Sequence, residues 1–295
     1  MSPEPPVLAP DVLDTGAAGG KAIRGGILRT AGFLIGMLMS LVSVPLMVHH
    51  LGPADYGRYI TVSSIVFIIG GATEAGLTQL GVREYSLLHG AEREHYLRNI
   101  AGLRFVLTAA GVALAVALTA VTGAQRAVVE GTAIAGLGLL LGLTQQTYAI
   151  PLTAHLRLGW VSALELLKQT VLTSLIVAFV VIGTGLQPFF VASVGAGLAV
   201  LAVTLALIRR EASLRPGADL AVWRRVLRDV LPYAVAAAVG LVYFRLAVVL
   251  LSYVASPRET GIYSTAFRVV EVIGVIPWLV VSSGFPILAR AARDD

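Results

Sequence analysis

The side chains able to do chemistry in this chain are few, because 57% of its residues are hydrophobic and only 13% are charged. Arg245 stands about ten residues inside one end of a long apolar run, roughly 15 Å deep at the helical rise. Arg268 and Glu271 follow in the next run at a three-residue spacing that puts both on one helical face. Arg29 lies near the start of the first run. A charge inside a bilayer costs at least ~2.5 kcal/mol, so it faces a cavity or a partner. Guanidinium groups offer paired donors to phosphate oxygens. Arg245, Arg268 and Arg29 around one cavity would therefore suit an anionic ligand. The same residues also allow a simpler arrangement, in which Arg245 or Arg268 pairs with Glu271 to lock helices together and Arg29 snorkels to the interface.

Other polar groups sit within the apolar runs. Glu74 has Thr73, Thr78 and Gln79 nearby, and is either a titratable group on an ion path or a helix–helix contact. Glu165, Lys168 and Gln169 share a helical face, and Lys168 either lines a cavity or pairs with Glu165. Gln145 and Gln146, with Thr144 and Thr147, can bond ligand hydroxyls or a neighbouring helix. His49 and His50 point apart as helix neighbours, which argues against a metal site. No strand precedes any glycine-rich stretch, so none reads as a nucleotide loop, and no nucleophile–base arrangement indicates an enzyme. Neither a cofactor nor a metal is expected. The chain has no cysteine, which removes disulfide and thiol chemistry.

The elements that position these residues are membrane helices. Soluble domains carry roughly 25% charge, and a mean hydropathy of +0.83 points to lipid as the solvent. Eight apolar segments approach the roughly 20 residues a span needs: 26–49, 59–82, 99–122, 127–154, 160–183, 187–208, 230–254 and 262–288. Uninterrupted apolar runs exclude the alternating pattern of a β-barrel. With the N-terminus in the cytosol, Arg58, Arg126 and Arg258 are the outer cations and Lys168, Arg245 and Arg268 lie inside spans. The remaining sixteen of the 22 basic residues, Arg104 among them, fall on inner loops and ends, the asymmetry of the positive-inside rule. The net charge of +5 then reports topology and not nucleic-acid binding.

The domain reading is a disordered cytosolic tail over 1–20, a six-helix lobe over 21–208, an amphipathic linker over 209–229 and two helices of a second lobe over 230–295. Segment 83–98 reads as a short charged surface helix. In the linker, Trp223, Val226 and Leu227 beside Arg224, Arg225 and Arg228 suit a cytosolic lipid interface. The lobes are tied by an internal repeat. Pro53-Ala54-Asp55-Tyr56-Gly57-Arg58-Tyr59 recurs as Pro257-Arg258-Glu259-Thr260-Gly261-Ile262-Tyr263, each copy joining two apolar runs in the same direction. This predicts parallel lobes related by an axis along the membrane normal, the second lobe being incomplete.

The stretches Val44-Pro45-Leu46, Leu51-Gly52-Pro53-Ala54-Asp55-Tyr56-Gly57 and Gly76-Leu77-Thr78-Gln79-Leu80-Gly81-Val82-Arg83-Glu84-Tyr85 resemble the first hairpin of Wzx-type polysaccharide-unit flippases, members of the MATE/MOP superfamily. Gly261 to Arg268, with Phe285-Pro286 and Ala289-Arg290, resembles that family's eighth helix. The resemblance implies a multi-pass plasma-membrane transporter with a cytosolic N-terminus. It would move undecaprenyl-pyrophosphate-linked oligosaccharide across the bilayer by alternating access, and its partners would include a polysaccharide polymerase or a complementing chain. Arg245, Arg268, Glu271, Arg29, Glu74, Gln145, Gln146 and Lys168 would line the cavity. A multidrug or lipid II exporter of the same superfamily is the alternative, as is a non-transporting component of a polysaccharide assembly complex. Two departures stand out. Relatives have twelve or more helices, so the chain reads as truncated. In addition, Ala247 follows Arg245-Leu246 where relatives often carry an acid.

Overall fold

A computed structural model describes residues 16–74, 76–209, 215–267 and 270. Every element among them is helical, and the chain is an all-α multi-pass membrane protein. Helix α1 (Gly16–Glu74) bends into two limbs at Gly52. Then come α2 (Leu77–Leu87), α3 (Gly90–Val121), α4 (Arg126–Tyr148), α5 (Ile150–Ala154), α6 (Leu158–Ile182), α7 (Gln187–Ile208) and α8 (Leu220–Val254). A ninth helix, α9, covers 257–267. Among the described residues five helical stretches are long and apolar enough to cross a membrane, and the first, Leu34–Leu87, contains the Gly52 bend. The two limbs of α1, then α3, α4 with α5, α6 and α7, occupy the six spans expected first. Helix α8 takes the seventh span and α9 begins the eighth.

The bends follow from local chemistry. Gly52 has φ 71° and ψ 168°. The positive φ suits glycine, and the extended ψ is what the residue before a proline adopts. Gly76, left-handed at φ 91° and ψ −2°, separates α1 from α2. Consequently the expected span 59–82 is broken, and the expected surface helix 83–98 is divided between the end of α2 and the first turns of α3. Helix α8 starts where the Asp219 side chain accepts the Ala221 N–H at 2.9 Å. Helix α9 starts with a capping box: Ser256 N–H and Oγ–H both donate to Glu259, each at 2.8 Å, and Glu259 N–H donates to Ser256 Oγ.

Helix α4 packs against α7, α3 and α1; α6 packs against α1 and α7; α8 lies along α1. Gly136 and Gly138 bring α4 close to Val112 of α3 and Ser193 of α7, as small residues do between membrane helices.

The linker differs from the expectation. Trp223 and Val226 do not face lipid: Val226 and Val230 are buried with Leu77, Tyr85, Leu97 and Ile100 of α2 and α3, and Trp223 packs on that cluster. Residue Asn99 holds the seam, its Oδ1 accepting the Asp219 N–H at 2.7 Å and its carbonyl accepting Trp223 Nε1–H at 3.0 Å. The Gly217 N–H also donates to the Arg98 carbonyl. The remaining sides, with Arg224, Arg225, Leu227 and Arg228, stay exposed. The reason is that α8 runs on unbroken from Leu220, so its first turns belong to the same stripe that packs on α3.

At the Gly52 end the two copies of the repeated motif pack on each other. A Cβ placed on Gly57 would overlap the Pro257 carbonyl oxygen and lie 2.9 Å from Gly261 N. A Cβ on Gly261 would overlap the Pro53 carbonyl oxygen and lie 3.1 Å from Gly57 N. The contact is reciprocal, as in a two-fold interface.

Candidate functional site

Two adjoining cavities open inside the helices. The larger, about 590 Å³, lies among the second limb of α1 and helices α4, α6 and α7. Along α1 it runs from Tyr59 to Glu74, about 22 Å at the helical rise. Its walls are apolar and aromatic toward the Gly52 end, with Tyr59, Phe67, Phe189 and Phe190. Tyr59 stacks on Phe190 at 5.6 Å between centroids. Its polar groups are Ser63, Glu74, Gln146, Lys168 and Ser193. The smaller cavity, about 180 Å³, lies between α1, α6, α8 and α9 and holds Ser40, Ser43, Ser63, Gln169, Arg245 and Ser264. Tyr59, Ser63 and Leu172 border both. The Arg245 guanidinium stands 4.8 Å from the ring centre of Phe67, a cation–π contact that places it at the partition between the two.

Of the residues singled out in the sequence, Glu74, Gln146 and Lys168 thus share one cavity and Arg245 lies in its neighbour. Gln145 does not belong: it is buried, with Nε2 donating to Thr204 of α7 at 3.0 Å. Successive helix positions are about 100° apart, so only one of the two glutamines can face the cavity. Lys168 forms no ion pair among the described residues, and the alternative partner Glu165, on the same face of α6, is exposed. The Arg29 side chain, Arg268 and Glu271 lie outside the described residues. The described part of His50 chemistry is a bond of 2.7 Å from Nε2 to the Thr184 carbonyl.

The residue that sequence reasoning misplaced is Arg104. Expected at the inner end of its span, it is 1% exposed. Its Nη2 donates to Glu74 and, at 2.9 Å, to Thr78 Oγ1. Its Nη1 donates to Thr147 Oγ1 at 3.0 Å and to the Leu143 carbonyl at 3.4 Å. One guanidinium therefore joins α1, α2, α3 and α4. A signal was present: Glu74 and Arg104 stand at similar distances from the same ends of antiparallel neighbouring spans.

A bundle of membrane helices enclosing cavities with cations and amides, with two motif-related hairpins packed together at one end, defines the protein as one with the fold of a membrane transporter. Comparison with solved structures gives that fold a name. The chain superposes on a MOP superfamily transporter from Pyrococcus furiosus, described as having a binding pocket of reversed polarity that suggests a different function, with a TM-score of 0.57 and 13% identity over 88% of this chain. It superposes equally, at 0.57 with 15% identity over 88% of the chain, on the outward-facing form of a multidrug resistance MATE family transporter of the MOP superfamily. The chain spans 61% of the length of each. No curated protein matches it in sequence. The model of the family described as polysaccharide biosynthesis protein matches residues 22–292. The chain belongs to that family, and the resemblance read from its two hairpins to flippases of polysaccharide units is borne out.

Proposed function

We propose that the protein moves a lipid-linked oligosaccharide, of the undecaprenyl-pyrophosphate class, across the plasma membrane by alternating access, as a transporter of surface polysaccharide biosynthesis and not as an enzyme. The observation that carries this is the pair of adjoining cavities within the helices, where Lys168 and Arg245 stand among serine hydroxyls and amides. A cation at bilayer depth faces a cavity or a partner. Guanidinium and ammonium groups suit a pyrophosphate, and Ser63, Ser193, Gln146 and Gln169 suit sugar hydroxyls. The N-terminus is cytosolic in this reading, so Glu74 and Gln146 lie toward the cytosolic mouth and the paired hairpins close the outer side. The lipid tail would stay in the bilayer beside α1 and α8.

Export of a hydrophobic drug is the second reading. The aromatic half of the larger cavity, with Tyr59, Phe67, Phe189 and Phe190, favours it.

Transport of labelled lipid-linked oligosaccharide in vesicles tests the proposal. Lys168→Ala and Arg245→Ala should each slow translocation at least tenfold, with normal insertion. Wild-type rates in both variants would refute the assignment of the cavity, and drug accumulation without sugar transport would establish the second reading.

A further inference from the structure

Glu74 is the only acidic side chain lining either cavity among the described residues, and it faces the same space as Lys168. Left alone, a carboxylate there would offset the lysine and disfavour an anionic ligand. It is not left alone. Arg104 is turned away from the cavity, 1% exposed, and cannot touch a ligand. Yet its guanidinium is fixed at three further points: the hydroxyls of Thr78 and Thr147 and the carbonyl of Leu143. Glu74 keeps a side-chain exposure of 26%, so one side of the carboxylate meets the cavity and the other meets Arg104.

We infer that Arg104 is a positioning residue that sets the charge sign of the cavity: by holding Glu74 in a closed pair, it leaves Lys168 as the charge a ligand meets beside it. The inference rests on the proposed function for the ligand's class, an amphiphilic anion with a phosphate-bearing headgroup. It names a residue outside the cavity as the determinant of anion over cation. The mechanism is electrostatic. Cavity walls of low polarity screen poorly, so an uncompensated carboxylate within about 10 Å changes the affinity of a charged ligand on the order of tenfold.

The alternative is that the four-helix junction only ties helices together, and the two readings separate in a charge cycle. Farnesyl pyrophosphate and tetraphenylphosphonium serve as anionic and cationic probes for the full chain in nanodiscs, the readout being the ratio of their affinities. Arg104→Gln, which bares Glu74, should lower the anion-to-cation ratio about tenfold. Glu74→Gln, which bares Arg104, should raise it. The double variant Glu74→Gln/Arg104→Gln should return it to within about threefold of wild type. A structural tie predicts a double variant at least as impaired as Arg104→Gln. That outcome, or an unchanged ratio in a folded Arg104→Gln, overturns the inference. Should Arg104→Gln not fold, Glu74→Gln decides, and an unchanged ratio there overturns it equally. The function itself is read from a different quantity, the wild-type preference. A wild type that binds only tetraphenylphosphonium would sink the lipid-linked anion while leaving the shifts between variants to judge Arg104.

Discussion

Substituting Gly57 by alanine tests whether the paired hairpins form a self-complementary contact. The added Cβ would overlap the Pro257 carbonyl oxygen and approach Gly261 N to 2.9 Å, and both obstacles are backbone. No side chain can rotate away, so the hairpins must separate by about 1 Å, and a gap of that size forfeits a quarter to a half of each dispersion contact. Overpacking of this kind costs about 1–3 kcal/mol. Gly261→Ala meets the Pro53 carbonyl oxygen across the same contact and should cost a similar amount. Because either substitution alone parts the two hairpins, the second finds room already made. The double variant should therefore fall short of the sum by about 0.5–3 kcal/mol, as for residues that share one contact. Gly240→Ala is the control, since its added Cβ meets nothing within 4 Å and alanine favours a helix. Thermal unfolding of the protein in nanodiscs, followed by intrinsic tryptophan fluorescence, gives the five melting points, wild type included. Gly57→Ala and Gly261→Ala should melt below wild type and Gly240→Ala at or above it. Wild-type melting in either hairpin variant, or full additivity in the double, would refute the reciprocal packing.

Other outcomes follow from single features. Gly52→Ala places a side chain at φ 71°, which should cost about 1–2 kcal/mol and change the angle between the limbs, visible as altered distances between spin labels on them. Arg104→Ala leaves Glu74 partly buried without its partner and should destabilise by about 3–5 kcal/mol, a loss that thermal unfolding and expression level would both report. Asn99→Ala should loosen the start of α8, and amide exchange over 215–223 should rise before exchange elsewhere in that helix. Acid should act on the two exposed helix caps. The Ala221 N–H, with His95 as a lesser cause, holds the Asp219 carboxyl below the ordinary aspartate range, and the Ser256 N–H and hydroxyl do the same for Glu259. A lowered folded value stabilises above the unfolded value and is lost as pH falls through the folded one. Protection at the first turns of α8 and α9 should therefore hold near neutrality and decline below about pH 4 in hydrogen exchange, and Asp219→Asn should flatten that decline for α8.

What the sequence disclosed, and what it hid, divides along the difference between position on the chain and direction of a side chain. Span length and hydropathy are properties of position, and so α1, α3, α4, α6 and α7 were legible, as was the turn at Gly52-Pro53. The match between Pro53-x-Asp55-x-Gly57 and Pro257-x-Glu259-x-Gly261 was visible as a repeat. That the two glycines touch each other's hairpin was not, since nothing in the motif says which faces meet. Counting arginines by side of the membrane placed Arg104 near a surface, because such a count ignores the helix face. The carboxylate at Glu74 demanded a partner but did not name one. Gln145 and Gln146 carried equal weight on paper, and only the packing of α4 on α7 assigned one to Thr204 and the other to the cavity. Asn99 gave no signal at all: its role comes from meeting Asp219 and Trp223 from a distant part of the chain.

The anchored start of α8 has a consequence for motion. With Asp219 and Trp223 fastened to Asn99, the helix is a cantilever clamped at its root. Pro232, about 18 Å along its length, removes one rung of the backbone ladder. Any swing of the far half, with Arg245 on it, is then concentrated at that weakened rung and leaves the clamp still. In the alternating access proposed above, flexure within this single helix would be the way one half of the molecule tilts against the other.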